Sequence, residues 1–308
     1  MTVRPLDLLD LPALYRYRGE AASLDSTRAL TRGSPLGTIG LMAYVNPRRH
    51  VYSAVCRDNG AVMVGGVIHS HGESYARMLY LAPESGLDHP ALPALIENLS
   101  IEAGNWGAFH VLAELDELSP AFTPLRRAGF VVYAGQRMWD VTPSEGRKTG
   151  DLWPRVQSEN LPSVQNLYHQ IVPPLLQPIE PMPRRAAGFI CGNRGICYAT
   201  TYRGLNGIVV FPLIHPDATD VAPKLQALIQ NLPNRAGRPV YVCVRTYQAW
   251  LEHVLEDLGA KPGPQQAMLV KHLARLVKEP QAVLARQPAQ MRVQPSRMSR
   301  MEEKKQGT

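Results

Sequence analysis

Apolar residues recur along this chain with two periods, which predict strands and helices in alternation. In LPALIENL (92–99) the leucines and the isoleucine fall at positions i, i+3, i+4 and i+7, on one face of a helix. Short aliphatic and aromatic runs flank this helix, RMLYLAP (77–83) before it and AFHVLAEL (108–115) after it. Strands that alternate with helices in this way predict an α/β fold with a mixed sheet.

The same pattern occurs a second time. LQALIQNL (225–232) matches LPALIENL at six of eight positions and lies 133 residues further along the chain. Strand-like runs flank it again, at 207–216 and 239–246. In each copy a further helix-like segment ends at a glycine typical of a helix C-cap, Gly129 or Gly259. Matching elements in matching order predict a duplicated domain.

Each copy also opens with a strand and a capped helix, followed by an antiparallel pair of strands. Asp10 and Asn160 stand at the predicted N-caps, each before Leu-Pro. The strand pairs lie at 50–70, with a DNG turn, and at 187–202, with a GNRG turn. Closing strands are predicted at 130–141 and 265–277, and the two domains are predicted at 1–142 and 152–277, with a polar linker at 143–151.

The composition is that of a globular chain, with 45% hydrophobic and 19% charged residues. There is no apolar run of about 18 residues, and acidic residues in the first ten positions are not typical of a signal peptide. These features predict a cytoplasmic protein with no membrane contact. Four cysteines in strand-like runs predict buried free thiols: Cys56, Cys191, Cys197 and Cys243.

The formal net charge of +7 is concentrated near the end of the chain. Residues 278–308 hold seven Lys or Arg and three acidic residues, and they are rich in Gln, Pro and Ser. This composition predicts a disordered basic tail. Because the tail has no aromatic residue, it predicts at most weak, salt-sensitive binding to nucleic acid.

The order of elements resembles the GNAT fold, the acetyl-CoA-dependent N-acyltransferase superfamily, twice over. VRPLDLLDLPALYRYR is similar to the opening strand and helix of the family, LYLAPESGLDHPALPALIENL to its fourth strand, cofactor turn and helix, and LSPAFTPLRRAGFVVY to its closing stretch. VFPLIHPDATDVAPKLQALI and YQAWLEHVLEDLGA are the fainter second copy. The resemblance covers nearly all of residues 1–277. It implies two GNAT-like domains in tandem, with acetyl-CoA as cofactor and an unspecified amine as acceptor.

The resemblance also implies where acetyl-CoA would bind. The family holds the pyrophosphate on backbone N–H groups of a glycine-rich turn after the fourth strand. Here those turns are ESGLDHPA (84–91) and DATDVAPK (217–224), with one glycine and none, and each carries two acidic residues. The implied cofactor-binding positions are Leu81, Ala82, Glu84, Ser85, Gly86, Leu87, Ile214, His215 and Lys224.

The catalytic residues stay unknown at this level. Leu125 and Leu255 stand where many family members have a tyrosine that protonates the departing thiolate. The candidate general bases are His69, His71, Glu73 and Glu114. The HSH motif (69–71) is more typical of an exposed loop, and Glu114 of a helix start. HSH has no third ligand at metal-binding spacing, so no metal site is predicted.

Four aromatic residues of the second copy either line a pocket or belong to its core: Tyr198, Tyr202, Tyr247 and Trp250. Three functions stay open. The first is GNAT-type acyl transfer from acetyl-CoA. The second is a non-catalytic tandem protein that binds a ligand or a protein, which the degenerate turns favour. The third, and the least favoured, is nucleic-acid binding through the tail.

Overall fold

The computed structural model describes residues 2–37, 49–141, 153–183, 187–191 and 196–273, and within these ranges twelve strands form one mixed sheet. The strands are β1 (Thr2–Pro5), β2 (Ala22–Ser23), β3 (Arg49–Asp58), β4 (Ala61–Ser70), β5 (Tyr75–Ala82), β6 (His110–Asp116), β7 (Val131–Asp140), β8 (Phe189–Cys191), β9 (Cys197–Arg203), β10 (Ile208–Ile214), β11 (Val240–Arg245) and β12 (Lys261–His272). The α-helices are α1 (Leu11–Arg16), α2 (Ser26–Arg32), α3 (Leu92–Asn105), α4 (Phe122–Arg127), α5 (Leu161–Ile171), α6 (Val221–Gln230) and α7 (Leu251–Asp257). The predicted linker, the predicted tail and the GNRG turn lie outside the described residues.

Two strand pairs are parallel, and they occupy equivalent places in the two copies. β5 pairs with β6 from Tyr75 opposite His110, and β10 pairs with β11 from Ile208 opposite Val240. The corresponding residues are separated by 133 positions in one strand and by 130 in the other, and these are the offsets of the sequence repeat. The structure therefore confirms the duplication. The copies are called the first half (up to residue 141) and the second half (from residue 153) below.

The two halves share one continuous sheet. The strand order is β1-β3-β4-β5-β6-β12-β7-β11-β10-β9-β8, and β2 pairs with β5. The closing strand of the second half, β12, lies between β6 and β7 of the first half, and β7 in turn pairs with β11. The predicted α/β class, a mixed sheet flanked by helices, is confirmed. The predicted bounds at 142, 152 and 277 fall outside the described ranges and stay a prediction.

The repeated helices bury their apolar stripes as their spacing predicts. Leu95 and Leu99 of α3 are fully buried in the core of the first half, and Leu225 of α6 is fully buried in that of the second. The helices that follow end as predicted, because Gly129 and Gly259 adopt the left-handed φ values of +90° and +74° that close a helix C-terminus.

Helix α2 of the first half packs on the sheet of the second half. Leu30 lies in an apolar cluster with Val209 of β10. The carbonyl oxygen of Thr31 accepts a hydrogen bond from the N–H of Asn206 at 2.9 Å. Gly204 approaches so closely that a Cβ atom there would lie 2.1 Å from the Thr31 oxygen.

A loop of the second half packs in turn on the sheet of the first half. Ile179, in the loop after α5, is buried against Leu112 of β6 and Val270 of β12. This loop and α2 therefore each cross from one half to the other, and side chains near both of them face a space between the halves.

The helices begin where predicted, after Asp10 and Asn160, but the predicted capping by these two side chains is wrong. Both residues stand at N-cap positions, yet neither side chain accepts a hydrogen bond from its helix. Each ends a 3-10 turn with helical backbone angles, so its side chain is not aimed at the next turn. Asp10 is instead buried beside Arg4 and Arg57, at 2.8 and 2.9 Å, and Asn160 accepts from the N–H of Gln157.

Several smaller predictions are confirmed. The DNG turn joins β3 and β4, with Asn59 and Gly60 at φ values of 46° and 83°. All four cysteines are buried free thiols. Among the described helices, none combines the length and the apolar character needed to cross a bilayer.

Candidate functional site

In both halves the parallel strands separate after a short paired stretch, which leaves a wedge at their carboxyl ends. β5 and β6 pair only over residues 75–77 and 110–112, although they continue for five and four further residues. β10 and β11 pair only over 208–210 and 240–242. Ligands of α/β sheets bind outside the carboxyl ends of parallel strands. Each wedge adjoins one of the two predicted cofactor turns, so it lies where the family resemblance implies that acetyl-CoA would bind.

In the first half the wedge is filled by residues 22–24, which we call the plug segment. Its strand β2 pairs with the end of β5. The N–H of Leu24 donates to the carbonyl oxygen of Leu79 at 3.0 Å, and the carbonyl oxygen of Leu24 accepts from the N–H of Glu114 at 2.8 Å. The plug segment thus bridges the separated edges of β5 and β6.

Two N–H groups of the first cofactor turn already have acceptors within the protein. The N–H of Glu84 donates to the carbonyl oxygen of Glu20 at 2.7 Å, and the N–H of Gly86 to that of Pro83 at 3.0 Å. A bound pyrophosphate would need such groups free. The six positions predicted here lie at the end of β5 and in or beside the 3-10 turn Glu84–Gly86: Leu81, Ala82, Glu84, Ser85, Gly86 and Leu87.

In the second half the wedge is filled by a side chain. Gln248, in the turn after β11, is 1% exposed. Its Oε1 accepts from the N–H of Ile214 at 3.0 Å, and its Nε2 donates to the carbonyl oxygen of Pro212 at 3.1 Å. Pro212 is the counterpart of Leu79, 133 positions earlier. The same strand edge is therefore occupied in both halves.

The second cofactor turn is also closed on itself. The N–H of His215 donates to the carbonyl oxygen of Ile196 at 2.9 Å, and its Nδ1 accepts from the N–H of Asp217 at 3.2 Å. The ammonium group of Lys224 donates to the carbonyl oxygen of Thr219 at 2.6 Å. Lys224 therefore ties down its own loop, which leaves it poorly placed to neutralise a phosphate.

A cavity of about 330 Å³ lies between the halves, bounded by α2, α5 and strands of both halves. Its size is within the range of small-molecule sites. Its charged lining residues are Asp25, Arg28, Glu73, Arg77, Glu180 and Arg245. Its aromatic lining residues are Tyr75, Tyr168, Tyr198, Tyr202, Phe211 and Tyr247. Of the four aromatic residues singled out in the sequence, three line the cavity, and Trp250 packs against the core of the second half instead. Tyr198 and Tyr247 also belong to an apolar cluster of the second half, so they serve as core and lining at once.

Neither the protein-family models nor the curated proteins match this chain. Solved structures do match it. A tandem GNAT protein from the clavulanic acid biosynthesis pathway is 15% identical, with a TM-score of 0.51, over 89% of this chain and 99% of its own. A GCN5-related N-acetyltransferase from Sphaerobacter thermophilus is 10% identical, with a TM-score of 0.52, over 88% of this chain and 95% of its own. This chain has the tandem GNAT fold. At such identities the likeness shows the fold and does not show an activity.

A chain of buried polar groups crosses the GNAT sheet beside the cavity. Arg77 donates to Glu114 at 2.6 Å. The amide of Gln136 donates to the other oxygen of Glu114 at 3.5 Å and accepts from the guanidinium of Arg245. Arg245 also pairs with Glu180, at 3.5 Å. Charges from both GNAT halves are therefore linked through one central amide.

The burial of these groups shifts their pKa values. Burial acts to raise the pKa of Glu114, and the adjacent Arg77 and Arg245 outweigh it, so the pKa lies below its usual range. Burial raises the pKa of Asp25 despite its arginine neighbours. Burial also raises the pKa of Tyr168 and of Tyr198 to about 12, so both hydroxyls stay protonated at neutral pH.

Three of the four candidate bases do not line the cavity. His69 lies in β4, 4% exposed, with Nε2 at 2.9 Å from the carbonyl oxygen of Glu73, so the expectation of an exposed loop pair is wrong for it. His71 is exposed. Glu114 lies within β6 and pairs with Arg77, so the expectation that it starts the next helix is also wrong. Of the four candidates, Glu73 lines the cavity.

The positions of the family tyrosine carry no acid in either GNAT half. Leu125 and Leu255 are fully buried in the two cores. Across the described ranges, no group of three or more His, Cys, Asp or Glu side chains could hold a metal ion.

Sequence reasoning missed four residues of this region: Arg77, Glu180, Arg245 and Gln248. A signal was present for two of them, since Arg77 and Arg245 are single charges inside the apolar runs RMLYLAP and PVYVCVRT. A charge within a buried strand requires a buried partner. Glu180 and Gln248 lie in loops that carry no such signal.

Proposed function

We propose that this protein is a tandem GNAT-fold binding protein that does not transfer acyl groups from acetyl-CoA, with its ligand in the cavity between the halves. The observation that carries the proposal is the occupation of both wedges. The plug segment bridges β5 and β6, and Gln248 occupies the equivalent edge of β10. The residues present therefore do not fit acetyl-CoA.

Opening the first wedge would be costly. It would break three hydrogen bonds: the two that Leu24 makes with Leu79 and Glu114, and the one between the N–H of Glu84 and the carbonyl oxygen of Glu20. It would also move the Leu24 side chain, now 99% buried, into water. At about 1 kcal/mol for each bond and about 2 kcal/mol for the leucine, the opening requires roughly 5 kcal/mol. An intrinsic affinity would be weakened by about three to four orders of magnitude. Glu84 and Asp88 would add repulsion toward a polyanion.

Acyl transfer from acetyl-CoA to an amine is the alternative function. The fold likeness favours it, and the filled wedges oppose it. Cytoplasmic location and weak nucleic-acid binding by residues 278–308 stay predictions from the sequence.

The test is thermal unfolding of the full chain with and without about 1 mM acetyl-CoA, together with a thiol-release assay on an amine panel. A cofactor present at a hundred times its Kd stabilises a protein by about 2.7 kcal/mol, or roughly 4 °C for a chain of 308 residues. We expect a shift below about 1 °C and no thiol release above the protein-free rate. A saturable rise of several degrees would overturn the proposal.

A further inference from the structure

Two of the free cysteines, Cys191 and Cys197, lie directly opposite each other in the sheet. They are paired in the register of the antiparallel strands β8 and β9, next to the pair of Ile190 and Tyr198. Directly opposed residues project from the same face of a sheet. Both cysteines accordingly belong to the same apolar cluster of the second half. The two thiols are therefore neighbours in space as well as in the chain.

The spacing of such a pair suits a disulfide. Directly opposed residues of antiparallel strands have Cα atoms about 4.5–5.5 Å apart, and a disulfide spans about 4.4–6.8 Å between Cα atoms. The Cβ atoms of opposed residues lie about 4.5–5.5 Å apart, and a disulfide holds them about 3.5–4.5 Å apart. Closing the bond therefore requires the two strands to approach by about 1 Å.

The position of β8 permits this approach. β8 has three residues and stands at one end of the strand order. On its outer side, the described ranges contribute one isolated bridge, between Arg155 and Phe189. A short outer strand with few hydrogen bonds opens more readily than the centre of a sheet. Such opening also admits a small oxidant to the two thiols of the pair, which are 4% and 1% exposed.

The other two cysteines have no thiol opposite them. Cys56 of β3 is opposite Met63 of β4, and Cys243 of β11 is opposite Met138 of β7. Both are buried free thiols in strands, like the first pair. They are therefore matched controls for the effect of an opposed partner.

We infer that Cys191 and Cys197 are a reversible oxidation site, at which a small-molecule disulfide such as glutathione disulfide converts the two thiols into a disulfide between β8 and β9. One cysteine thiolate attacks a sulfur of glutathione disulfide, forms a mixed disulfide and releases one glutathione. The second cysteine attacks the protein sulfur of the mixed disulfide, forms the Sγ–Sγ bond and releases the second glutathione. The protein thiols lose two protons and two electrons, and glutathione disulfide is reduced to two glutathione molecules.

The bond fixes a part of the sheet that borders both the cavity and the second cofactor turn. Tyr198, next to Cys197, lines the cavity. The carbonyl oxygen of Ile196, on the other side of Cys197, accepts from the N–H of His215 at 2.9 Å. Oxidation therefore staples one wall of the cavity and one attachment point of the turn.

Burial makes the reaction slow at neutral pH. It raises the pKa of Cys191, and burial together with the neighbouring Cys191 raises the pKa of Cys197 to about 11. The thiolate is the species that attacks a disulfide. The rate should therefore rise about tenfold for each unit of pH, as long as the pH is below the pKa.

The experiment incubates the native full chain with millimolar glutathione disulfide at about pH 9 and then alkylates the remaining thiols in denaturant. Trypsin cleaves after Arg194, so the two cysteines fall in separate peptides that only a disulfide joins. We expect a joined peptide pair containing Cys191 and Cys197, alkylation of the other two cysteines, and loss of the joined pair after treatment with dithiothreitol. Alkylation of all four cysteines, stable glutathione adducts in place of the bond, or a bond between any other pair would overturn the inference.

Four variants and a stability measurement sharpen the test. Cys191→Ser and Cys197→Ser should each leave no joined peptides, whereas Cys56→Ser and Cys243→Ser should form the bond like the wild type. Loss of the bond in a folded Cys56→Ser or Cys243→Ser would refute the assignment, and if a variant does not fold, the peptide map of the wild type decides. The oxidised wild type should have an equilibrium constant of unfolding about tenfold or more below that of the reduced protein. Equal constants would show that the bond does not staple β8 to β9.

Discussion

Replacing Gln248 by leucine removes both hydrogen bonds that its side chain makes with β10 and leaves a side chain of similar size. The N–H of Ile214 and the carbonyl oxygen of Pro212 then lie in the core without partners, since both residues are buried. Each buried group without a partner lowers the free energy of unfolding by about 1–3 kcal/mol. Burial of the leucine offsets roughly 1 kcal/mol. We therefore expect a net loss of about 1–5 kcal/mol.

The assay is urea unfolding followed by far-UV circular dichroism, with the slope checked for constancy. Gln226→Leu is the matched control, because the same substitution at an exposed position of α6 should change the free energy of unfolding by less than about 0.5 kcal/mol. A loss below about 1 kcal/mol for Gln248→Leu, with the control unchanged, would show that the amide does not occupy the wedge.

Three further predictions concern the joined halves and the buried charges, all measured by urea unfolding. Gly204→Ala should lower the free energy of unfolding by about 2 kcal/mol or more, because its Cβ would meet the Thr31 oxygen at 2.1 Å; an unchanged value would refute this packing. Arg77→Met should lower it by about 3–5 kcal/mol, since Glu114 would stay buried without its partner, and wild-type stability would contradict that pairing. Hydrogen bonds from Asp7, Arg57 and Arg4 outweigh burial and lower the pKa of Asp10 to about 2, so about 1–2 kcal/mol of stability should be present above pH 4 and disappear as the pH falls toward 2. An Asp10→Asn variant should lose that acid dependence, and an unchanged profile would contradict the assignment.

The sequence predicts the elements of this fold well because the apolar period is local. The apolar residues of the stripe in α3 and of its copy in α6 are the residues that the structure buries. The two sequence offsets, 133 and 130, also separate the paired strand residues of the two halves. The sequence could not predict that the closing strands pair across the halves, with β7 of the first half beside β11 and β12 of the second half beside β6. The continuous apolar run AMLV (267–270) in β12 indicates a buried strand, and it does not say whether the neighbours of that strand belong to the first half or the second.

The candidate site was predicted less completely, for physical reasons that differ between residues. The loss of turn glycines signals a damaged cofactor turn, yet it cannot show that the plug segment enters the wedge, because AASL (21–24) has no distinctive period. Glu114 lies both in the strand-like run AFHVLAEL and in ELDEL, which resembles a helix start, and only its contact with Arg77, 37 positions away, shows that it is a buried residue with a charged partner. Contacts between distant residues are absent from local patterns.

The central claim is that the protein itself occupies both wedges of its tandem GNAT fold. The most direct measurement is a crystal structure of the full chain grown with millimolar acetyl-CoA. The account predicts no cofactor density in either wedge, with Leu24 still bonded to Leu79 and Glu114, and Gln248 still bonded to β10. Cofactor density in either wedge, with the plug segment or Gln248 displaced, would contradict it.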